Sequence, residues 1–353
     1  MTTAQEVVLG DDTNKVSASL PLTRRLRPLL GMTVVAAVAL AWGMGGGADR
    51  YEIFIAIHFL SFVTAAAGLN ILYGYSGLVS LGHGAFFAIG AYGMGWGLLN
   101  TGLSFPVLLV SVLLAAVAIA LVLVLPTLRV SGHFLAMVTV AYASVVHVIL
   151  INWDSVTGGP LGLSISPRRL ETWVPAEEVL FGFAVVVAAL ALLFMGVVRT
   201  SSIGRAWRSI RQSEVSAACL AVPVRRYRVL AFSVSAVLAT LGGVIYGLNV
   251  GFLTPSEYDV MLSINLLIAV IVGGSGRFLG PVFGSLIVVI GPEVFRFLGD
   301  HRELMLGLVL IAVLSFGRGG IAGLLETAVR PVASRLGARS KPGVSVAEKG
   351  DVA

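Results

Sequence analysis

The sequence predicts an all-α polytopic membrane protein with about ten transmembrane helices. Apolar residues make up 57% of the 353 residues and charged residues only 12%, against roughly 45–50% and about 25% in soluble proteins. A soluble core cannot hide so much apolar surface, whereas lipid accepts it on the outside of every helix. From Ile53 to Leu128 the chain has no Asp, Glu, Lys or Arg. The composition therefore excludes a soluble enzyme.

Charge-free apolar stretches place the predicted spans along the chain. The run from about Leu29 to Gly43 is interpreted as an uncleaved first span rather than a signal peptide. Residues 53–128 are long enough for three spans at about 20 residues each. The remaining candidates are Val130–Trp153, Val179–Val198, Val229–Ser256, Val260–Gly276, Phe278–Pro292 and Leu304–Gly317. We expect a tail over residues 1–28, a transmembrane domain over residues 29–325 and a disordered tail over residues 326–353.

The basic residues predict that both termini are cytoplasmic, because Lys and Arg are retained on that side during insertion. With ten spans, 19 basic residues fall inside and 5 outside, which together are the 24 of the chain. Seven of the inside residues lie in one segment, residues 199–228. The isoelectric point near 9.8 thus reflects topology. No nucleic-acid partner is expected, since the basic residues lack interleaved aromatic groups.

The predicted spans also lack the groups that several other functions need. A carrier driven by protons or sodium usually holds an intramembrane carboxylate, and none lies inside these spans. None of the three lysines follows a glycine-rich phosphate-binding loop, so no ATPase activity is expected. A membrane enzyme is disfavoured, because the histidines have no acidic or cysteine partners in the spans. These are His58, His83, His133 and His147. No catalytic or metal site is expected, and a passive channel for a small neutral solute stays open.

Glycines interrupt the long apolar run, in Tyr73-Gly74-Tyr75-Ser76-Gly77 and again in Ser80-Leu81-Gly82-His83-Gly84. One helix should end here and a broken or re-entrant one begin. Irregular backbone at membrane depth is tolerated only where it is buried in protein or lines a cavity. Helix packing is the alternative explanation for each glycine. The segment is therefore a candidate wall of a translocation path, formed by Asn70, Ser76, Gly77, Gly82, His83 and Gly84.

A weak internal repeat extends this prediction to a second segment. The order from Asn70 to Gly82 is echoed from Asn265 through Ser275-Gly276 to Gly280. With the predicted topology, both copies run in the same direction. The sequence thus indicates two related halves in parallel orientation, with Asn265, Ser275, Gly276 and Gly280 as further path candidates.

The arginine-rich segment over residues 200–228 is predicted to be a short amphipathic helix. Its apolar residues keep a helical spacing and Pro223 ends the helix. These apolar residues are Ile203, Trp207, Ile210, Ala217 and Leu220. The helix either lies at the lipid headgroups as a topology anchor or docks a cytoplasmic partner. Composition alone leaves both interpretations open.

The residue order of this segment resembles the cytoplasmic coupling loop of ABC importer permeases, in particular the branched-chain amino-acid (Liv-type) permeases. The matching positions are Gly204-Arg205-Ala206, Arg208, Ile210-Arg211, Glu214, Ala217, Leu220 and Arg226-Tyr227. Further blocks are similar to the same family, namely Asn70–Tyr92, Ala136–Tyr142, Thr157–Leu163 and Gly273–Gly284. The resemblance covers about Tyr51 to Phe316. Where the family commonly has an acidic residue and then a glycine, this chain has Ala218 and Ala221, so we expect the helix to continue without a break.

The resemblance implies the membrane subunit of an ATP-driven importer in the bacterial inner membrane. It would pair with a second, LivH-like permease subunit, two cytoplasmic ABC ATPases and an extracytoplasmic substrate-binding protein. This chain would hold no cofactor, because ATP and Mg²⁺ lie on the ATPases. Leucine, isoleucine and valine are the expected substrates, with urea or short-chain amides as the alternative.

The resemblance also implies roles for individual residues. The coupling residues would be Gly204, Arg205, Trp207, Arg208, Arg211, Glu214 and Leu220. Arg205, Arg208 and Glu214 would make charged contacts with an ATPase. Trp207 and Leu220, with Ile203, would seat the helix. The outer-loop residues Thr157, Gly158 and Gly159 would receive the binding protein.

Overall fold

A computed structural model describes residues 49–127, 133–165 and 177–295, together with residues 301, 304, 307, 308, 311 and 320–323. The predicted first span, both predicted tails and most of the last predicted span lie outside the described residues. The predicted boundaries of the tails and of the transmembrane domain therefore stay predictions.

The described chain is almost entirely helical. It begins with α1 (Arg50–Leu69), which continues as a π-helical turn (Asn70–Tyr75), and goes on through α2 (His83–Asn100), α3 (Phe105–Thr127), α4 (His133–Asn152) and α5 (Asp154–Thr157). A 3₁₀ turn (Gly159–Leu161) and β1 (Leu163–Ser164) precede α6 (Glu177–Thr200), α7 (Ser202–Gln212), α8 (Glu214–Cys219) and α9 (Val224–Val250). The last elements are β2 (Phe252–Leu253), a 3₁₀ turn (Pro255–Tyr258), α10 (Val260–Gly274), α11 (Gly280–Ser285), a π-helical turn (Leu286–Ile290) and α12 (Gly291–Val294).

Five described helices are long and apolar enough to cross a membrane, namely α1, α3, α4, α6 and α9. The predicted multi-pass helical architecture is thus confirmed, while the number of ten spans stays a prediction. Two predicted spans, 260–276 and 278–292, differ from expectation, because α10 has only 15 residues and the helix Gly280–Val294 is equally short. Fifteen residues rise about 22 Å, less than the roughly 30 Å of a hydrocarbon core. The glycine-rich loop between them joins the two into a short helical hairpin.

The two helices α1 and α9 form the centre of the bundle. In the apolar stretch of each helix, 72% of the residues of α1 and 61% of those of α9 are buried, whereas only 28% are buried in α3 and in α4. Glycines of α9 allow a close approach to α2, because a Cβ at Gly247 would lie 2.9 Å from the Cα of Ala91. A Cβ at Gly243 would collide with the carbonyl oxygen of Phe87. The remaining faces of α3 and α4 are apolar and exposed, as expected for helices next to lipid or another subunit.

The two ends of the bundle differ in charge. One end holds α7 and α8 with the arginine-rich segment, and the other holds acidic residues. At the acidic end Asn249 donates a hydrogen bond to the carbonyl of Phe54 at 3.0 Å, and Tyr51 donates to Glu293 at 2.5 Å. We name the two ends after the orientation that the charge distribution predicts, so the arginine-rich end is called the cytoplasmic end and the acidic end the outer end.

Candidate functional site

Helix α7 is amphipathic and lies against the cytoplasmic end of the bundle. Its apolar face is buried, with Trp207 1% and Ile210 3% exposed. The indole Nε1 of Trp207 donates a hydrogen bond to the carbonyl of Tyr227 at 2.8 Å. Ser201 caps the helix, since its side-chain oxygen accepts from the amide of Gly204 at 3.2 Å. A buried indole whose N–H is hydrogen-bonded fixes the position of α7 on the bundle.

Two arginines of α7 hold the end of α6. Arg205 donates to the carbonyl of Thr200 at 3.2 Å, and Arg208 donates to the carbonyl of Arg199 at 3.0 Å. The last carbonyls of a helix have no partner within it, and cations near them are favourable. Gly204 permits this corner, because a Cβ there would collide with the carbonyl oxygen of Val198. These contacts fix the angle between α6 and α7.

Arg211 reaches into the bundle instead. Its guanidinium donates to the carbonyl oxygen of Gly74 in the π-helical turn that ends α1. Gly77 follows with φ of 75°, and a Cβ there would lie 2.9 Å from the Arg211 side chain. Gly74 in turn packs against Gly276, so closely that a Cβ would collide with the Gly276 amide nitrogen. Helix α7 therefore touches the broken end of α1 directly.

Asn70 joins the same point to the α10–α11 hairpin. Its Oδ1 accepts from the amide of Gly276 at 2.7 Å, and its Nδ2 donates to the carbonyl of Arg277 at 3.0 Å. The same Nδ2 lies 3.3 Å from the sulfur of Met195 in α6. Asn70 is fully buried, so leaving these groups unpaired would be costly. We call the set Asn70, Gly74, Arg211 and Gly276 the cytoplasmic junction.

The irregular backbone between α1 and α2 is held by neighbouring helices. The ring nitrogens of His83 lie 3.1 Å from Oγ of Ser80 and 2.5 Å from Oγ of Ser235 in α9. The amide of Gly84 donates to Oγ of Ser263 at 2.8 Å. Ser76 is also buried and donates to the carbonyl of Leu72. Apart from Gly77, which is exposed, this backbone is buried or half-buried in protein, which is one of the two situations that membrane depth permits.

The glycines predicted to line a path lie at backbone contacts. A Cβ at Gly82 would lie 3.1 Å from the carbonyl of Thr139 in α4. A Cβ at Gly280 would collide with the carbonyl oxygen of Gly274, within the α10–α11 hairpin. Ser275 is half-buried in the loop of that hairpin, and Asn265 is half-buried in α10. Close packing accounts for both glycines, and their role in a path stays a prediction.

The prediction of one helix reaching Pro223 was wrong. Ser213 has extended backbone (φ −162°, ψ 118°), separates α7 from α8, and accepts a hydrogen bond from the amide of Ser216. Helix α8 ends at Cys219, where the amides of Ala221 and Val222 return to the carbonyls of Ala218 and Ala217. Ala221 takes φ of 58°, the one positive φ among the described non-glycine residues. The helix thus stops as a glycine-terminated helix would, although alanine occupies the left-handed position.

The exposed surface of α8 and of the residue after it corrects the expectation for Leu220 and adds an internal partner for Glu214. Leu220 was expected to seat the segment, but it is 74% exposed, and Val215 is 76% exposed. Glu214 forms an ion pair with the largely buried Arg228, and its contact with a partner stays a prediction. These two exposed apolar side chains make the surface of α8 and the residue after it a candidate interaction site. Sequence reasoning missed Val215, whose only signal is its place beside the matched Glu214.

At the outer end, the loop residues form a compact turn. Thr157 is 3% exposed and donates to the carbonyls of Leu150 and Trp153 at 2.7 and 2.8 Å. Gly158 and Gly159 both take positive φ, and the amide of Gly159 donates to the Thr157 hydroxyl. The neighbouring Leu161 is 85% exposed. Docking at this loop stays a prediction, and Leu161 rather than Thr157 presents its side chain.

The outer end also carries a cluster of tyrosines around Tyr258. Its ring lies 5.4 Å from that of Tyr92 and 6.2 Å from that of Tyr246, and Tyr246 donates to Glu257 at 3.1 Å. Burial, together with the Tyr246, Glu257 and Tyr92 groups, raises the pKa of Tyr258 well above its usual 10. The phenol therefore stays neutral. In the described part of the chain, no three His, Cys, Asp or Glu side chains converge as metal ligands.

Residues 52–314 match the family described as branched-chain amino acid transport system / permease component. The chain belongs to this family. The permease is 29% identical over 319 residues to the high-affinity branched-chain amino acid transport system permease protein LivM of Escherichia coli (strain K12), covering 83% of this chain and 74% of LivM. No solved structure matches the chain.

Two further relatives of this chain are LivH and a sugar permease. The permease is 24% identical to LivH of Escherichia coli (strain K12), over 75% of this chain and 92% of LivH. It is 26% identical to the fructose import permease protein FruG of Bifidobacterium longum (strain NCC 2705), over 88% of this chain and 96% of FruG. The family predicted from the residue order is thus confirmed, and the permease is a multi-pass inner-membrane transport protein. Because named cargoes differ among the relatives, membership alone leaves the substrate open.

Proposed function

We propose that the permease is the membrane subunit of an ATP-driven importer of branched-chain amino acids, and that α7 couples ATP hydrolysis to the bundle. It works with a second, LivH-like permease, two cytoplasmic ATPases that bind ATP and Mg²⁺, and an extracytoplasmic binding protein. The similarity to LivM and LivH supports both the substrate class and the pairing of two permeases.

The observation that carries the coupling proposal is the contact of Arg211 with Gly74. A force on α7 acts at once on the π-helical turn that ends α1. Through Asn70 the same force reaches Gly276 and Arg277 in the α10–α11 loop. Interfaces of packed helices tend to have discrete arrangements, so a small shift of α7 can change which arrangement the bundle takes.

The docking surface in this proposal is the exposed side of α8. Val215 and Leu220 offer apolar side chains that are 76% and 74% exposed. Removing such apolar side chains from water is the main favourable contribution to most protein–protein association. Arg205 and Arg208 play a second part, because they join α7 to the end of α6 and prevent it from swinging independently.

The proposal is tested by uptake of radiolabelled leucine, isoleucine and valine into proteoliposomes that contain the permease and its four partner chains. We expect uptake that needs ATP and the binding protein, with fructose and urea not carried. Arg208→Glu should abolish uptake while the protein still inserts, because the variant repels the carbonyl of Arg199 that Arg208 holds.

Each contrary outcome identifies a different error. Uptake without ATP would indicate a passive channel, and uptake that an ionophore abolishes would indicate a secondary carrier. ATP-dependent uptake of urea or fructose alone would keep the machinery and replace the substrate. Normal uptake by Arg208→Glu would contradict the role of α7.

A further inference from the structure

A groove lies at the cytoplasmic edge of the membrane, where the end of α3 packs beside the start of α9. Its volume is about 470 Å³, within the roughly 300–1,000 Å³ typical of small-molecule sites. The lining residues are Leu125 of α3 and Arg225, Arg226, Val229, Leu230 and Ser233 of α9. Basic residues stand at one end of the groove and apolar residues line the rest. The groove therefore matches the layout of a phospholipid, with the basic end facing a headgroup and the apolar wall facing an acyl chain.

The charge at the mouth of the groove is uncompensated. Arg225 and Arg226 are exposed, and neither forms an ion pair with a described residue. Arg228, one turn further, is instead buried and paired with Glu214. Guanidinium groups bind phosphate through paired hydrogen bonds. Basic pockets between helices on the cytoplasmic side bind anionic headgroups, because the inner leaflet is negatively charged.

The deeper part of the groove suits the rest of a lipid. Leu125 and Leu230 are 52% and 39% exposed, so the apolar wall is open to the bilayer. The Oγ atom of Ser233 is buried and has no hydrogen-bond partner among the described residues. It lies seven residues beyond Arg226, which is about 10 Å along the helix. Since arginine side chains extend outward toward headgroups, this spacing places an acceptor such as a lipid ester carbonyl within reach of the Ser233 hydroxyl.

We propose that this groove binds one anionic phospholipid. The phosphate lies on Arg225 and Arg226, the ester region on Ser233, and an acyl chain along the apolar wall. The bound lipid braces the start of α9, which is tied to α8 by the pair Arg228–Glu214. A free phosphate ion would use the arginines alone, so the apolar wall and the unpartnered hydroxyl together indicate a lipid.

The test is native mass spectrometry of the full-length permease in detergent, titrated with phosphatidylglycerol against phosphatidylcholine. We expect one phosphatidylglycerol to bind preferentially. Replacing both groove arginines, Arg225→Ala with Arg226→Ala, should weaken it about 30-fold, because each basic residue near an anionic surface contributes roughly a factor of five. A control that removes the same charge elsewhere, Arg50→Ala with Arg199→Ala, should change the affinity less than twofold.

A second variant separates the lipid from its phosphate. Val229→Trp fills the groove and keeps both arginines, so it should also abolish the preference while the elution volume and helical content stay unchanged. Equal binding by the double arginine variant, or equal loss in the control, would overturn the proposal. Displacement of the lipid by inorganic phosphate, or full binding by Val229→Trp, would reduce the groove to a simple anion site and equally overturn it.

Discussion

The helices α7 and α8 are separated by the single residue Ser213, yet they contact the rest of the protein in opposite ways. Helix α7 buries Trp207 and sends Arg211 to the carbonyl of Gly74. Helix α8 buries Ala217, but Val215 in the helix and Leu220 just after its end are about three-quarters exposed. Its ion pair with a described residue, Glu214 with Arg228, lies at its first residue.

This contrast supports the proposed division of roles, in which α7 anchors the segment and α8 receives the ATPase. A part that transmits force must be fixed to what it moves, and α7 is fixed by buried apolar contacts and hydrogen bonds. A segment that binds a partner must expose side chains that the partner can bury, and α8 exposes apolar side chains. The extended residue Ser213 keeps the two surfaces from continuing one another around a single helix.

The largest effect is expected at the centre of the α7 anchor. Trp207→Ala removes a buried indole and its hydrogen bond to Tyr227, and comparable core truncations cost about 3–5 kcal/mol. We expect a clear fall in the midpoint of thermal unfolding in detergent and loss of uptake. Trp207→Phe keeps most of the ring and should lose far less. An unchanged midpoint in Trp207→Ala would show that α7 is not anchored through this residue.

The second effect is expected at Arg211. Arg211→Ala removes a charged hydrogen bond to Gly74, of a kind that contributes about 1.5–3 kcal/mol. We expect uptake to fall at least tenfold, while ATP hydrolysis and co-purification of the ATPases persist. The neighbouring variant Gln212→Ala, on the same helix, serves as the control. Loss of ATPase binding in Arg211→Ala would place the residue in the docking surface and contradict its role in transmission.

The helices of the fold were largely predictable because they follow from the hydropathy of the sequence. Runs without charge gave α4 and α6 to within three residues and α9 to within six, and α1 and α3 lie in the long run predicted to hold three spans. The lengths of the helices were harder to predict in residues 260–292, where the apolar residues are numerous enough for two spans. The backbone there turns at Gly274, whose φ is 114°, and the helices on either side are short. A hydropathy pattern does not report where such a turn occurs.

The junction was predictable only in part. The sequence singled out Asn70, Gly276 and Arg211 separately, two of them as path residues and one as a coupling residue. It could not show that they meet, because Asn70 and Gly276 are joined by a hydrogen bond across 206 positions of sequence. Similarly, helical periodicity placed Leu220 on the buried face, and the break at Ser213 turned that face outward.

The third effect concerns the exposed half of the comparison. Val215→Asp places a charge on a side chain that is 76% exposed, so the unfolding midpoint should barely move, since such surface changes stay within about 0.5 kcal/mol. We expect co-purification of the ATPases to fall about tenfold. Ser216→Asp adds the same charge without removing an apolar group and should retain binding. Equal retention in both variants would show that α8 is not the docking surface.

The smallest effect is expected where α8 ends. Ala221 holds a left-handed conformation at φ of 58°, which costs a residue with a Cβ roughly 1–2 kcal/mol relative to glycine. The hydrogen bonds from Ala221 and Val222 back into α8 keep it there. Ala221→Gly should therefore raise the unfolding midpoint slightly, and by less than the full strain, because glycine also gains freedom in the unfolded chain.

A bulkier residue at position 221 should have the opposite effect. Ala221→Val should lower the midpoint, since a β-branched side chain tolerates positive φ poorly. Neither change alters α7, so Arg211 should remain bound to Gly74. Any change in uptake should then come only from a change in how far α8 is exposed. If Ala221→Gly instead destabilised the protein, α8 would continue past Cys219 in solution, and its exposed face would not be the one that Val215 and Leu220 define.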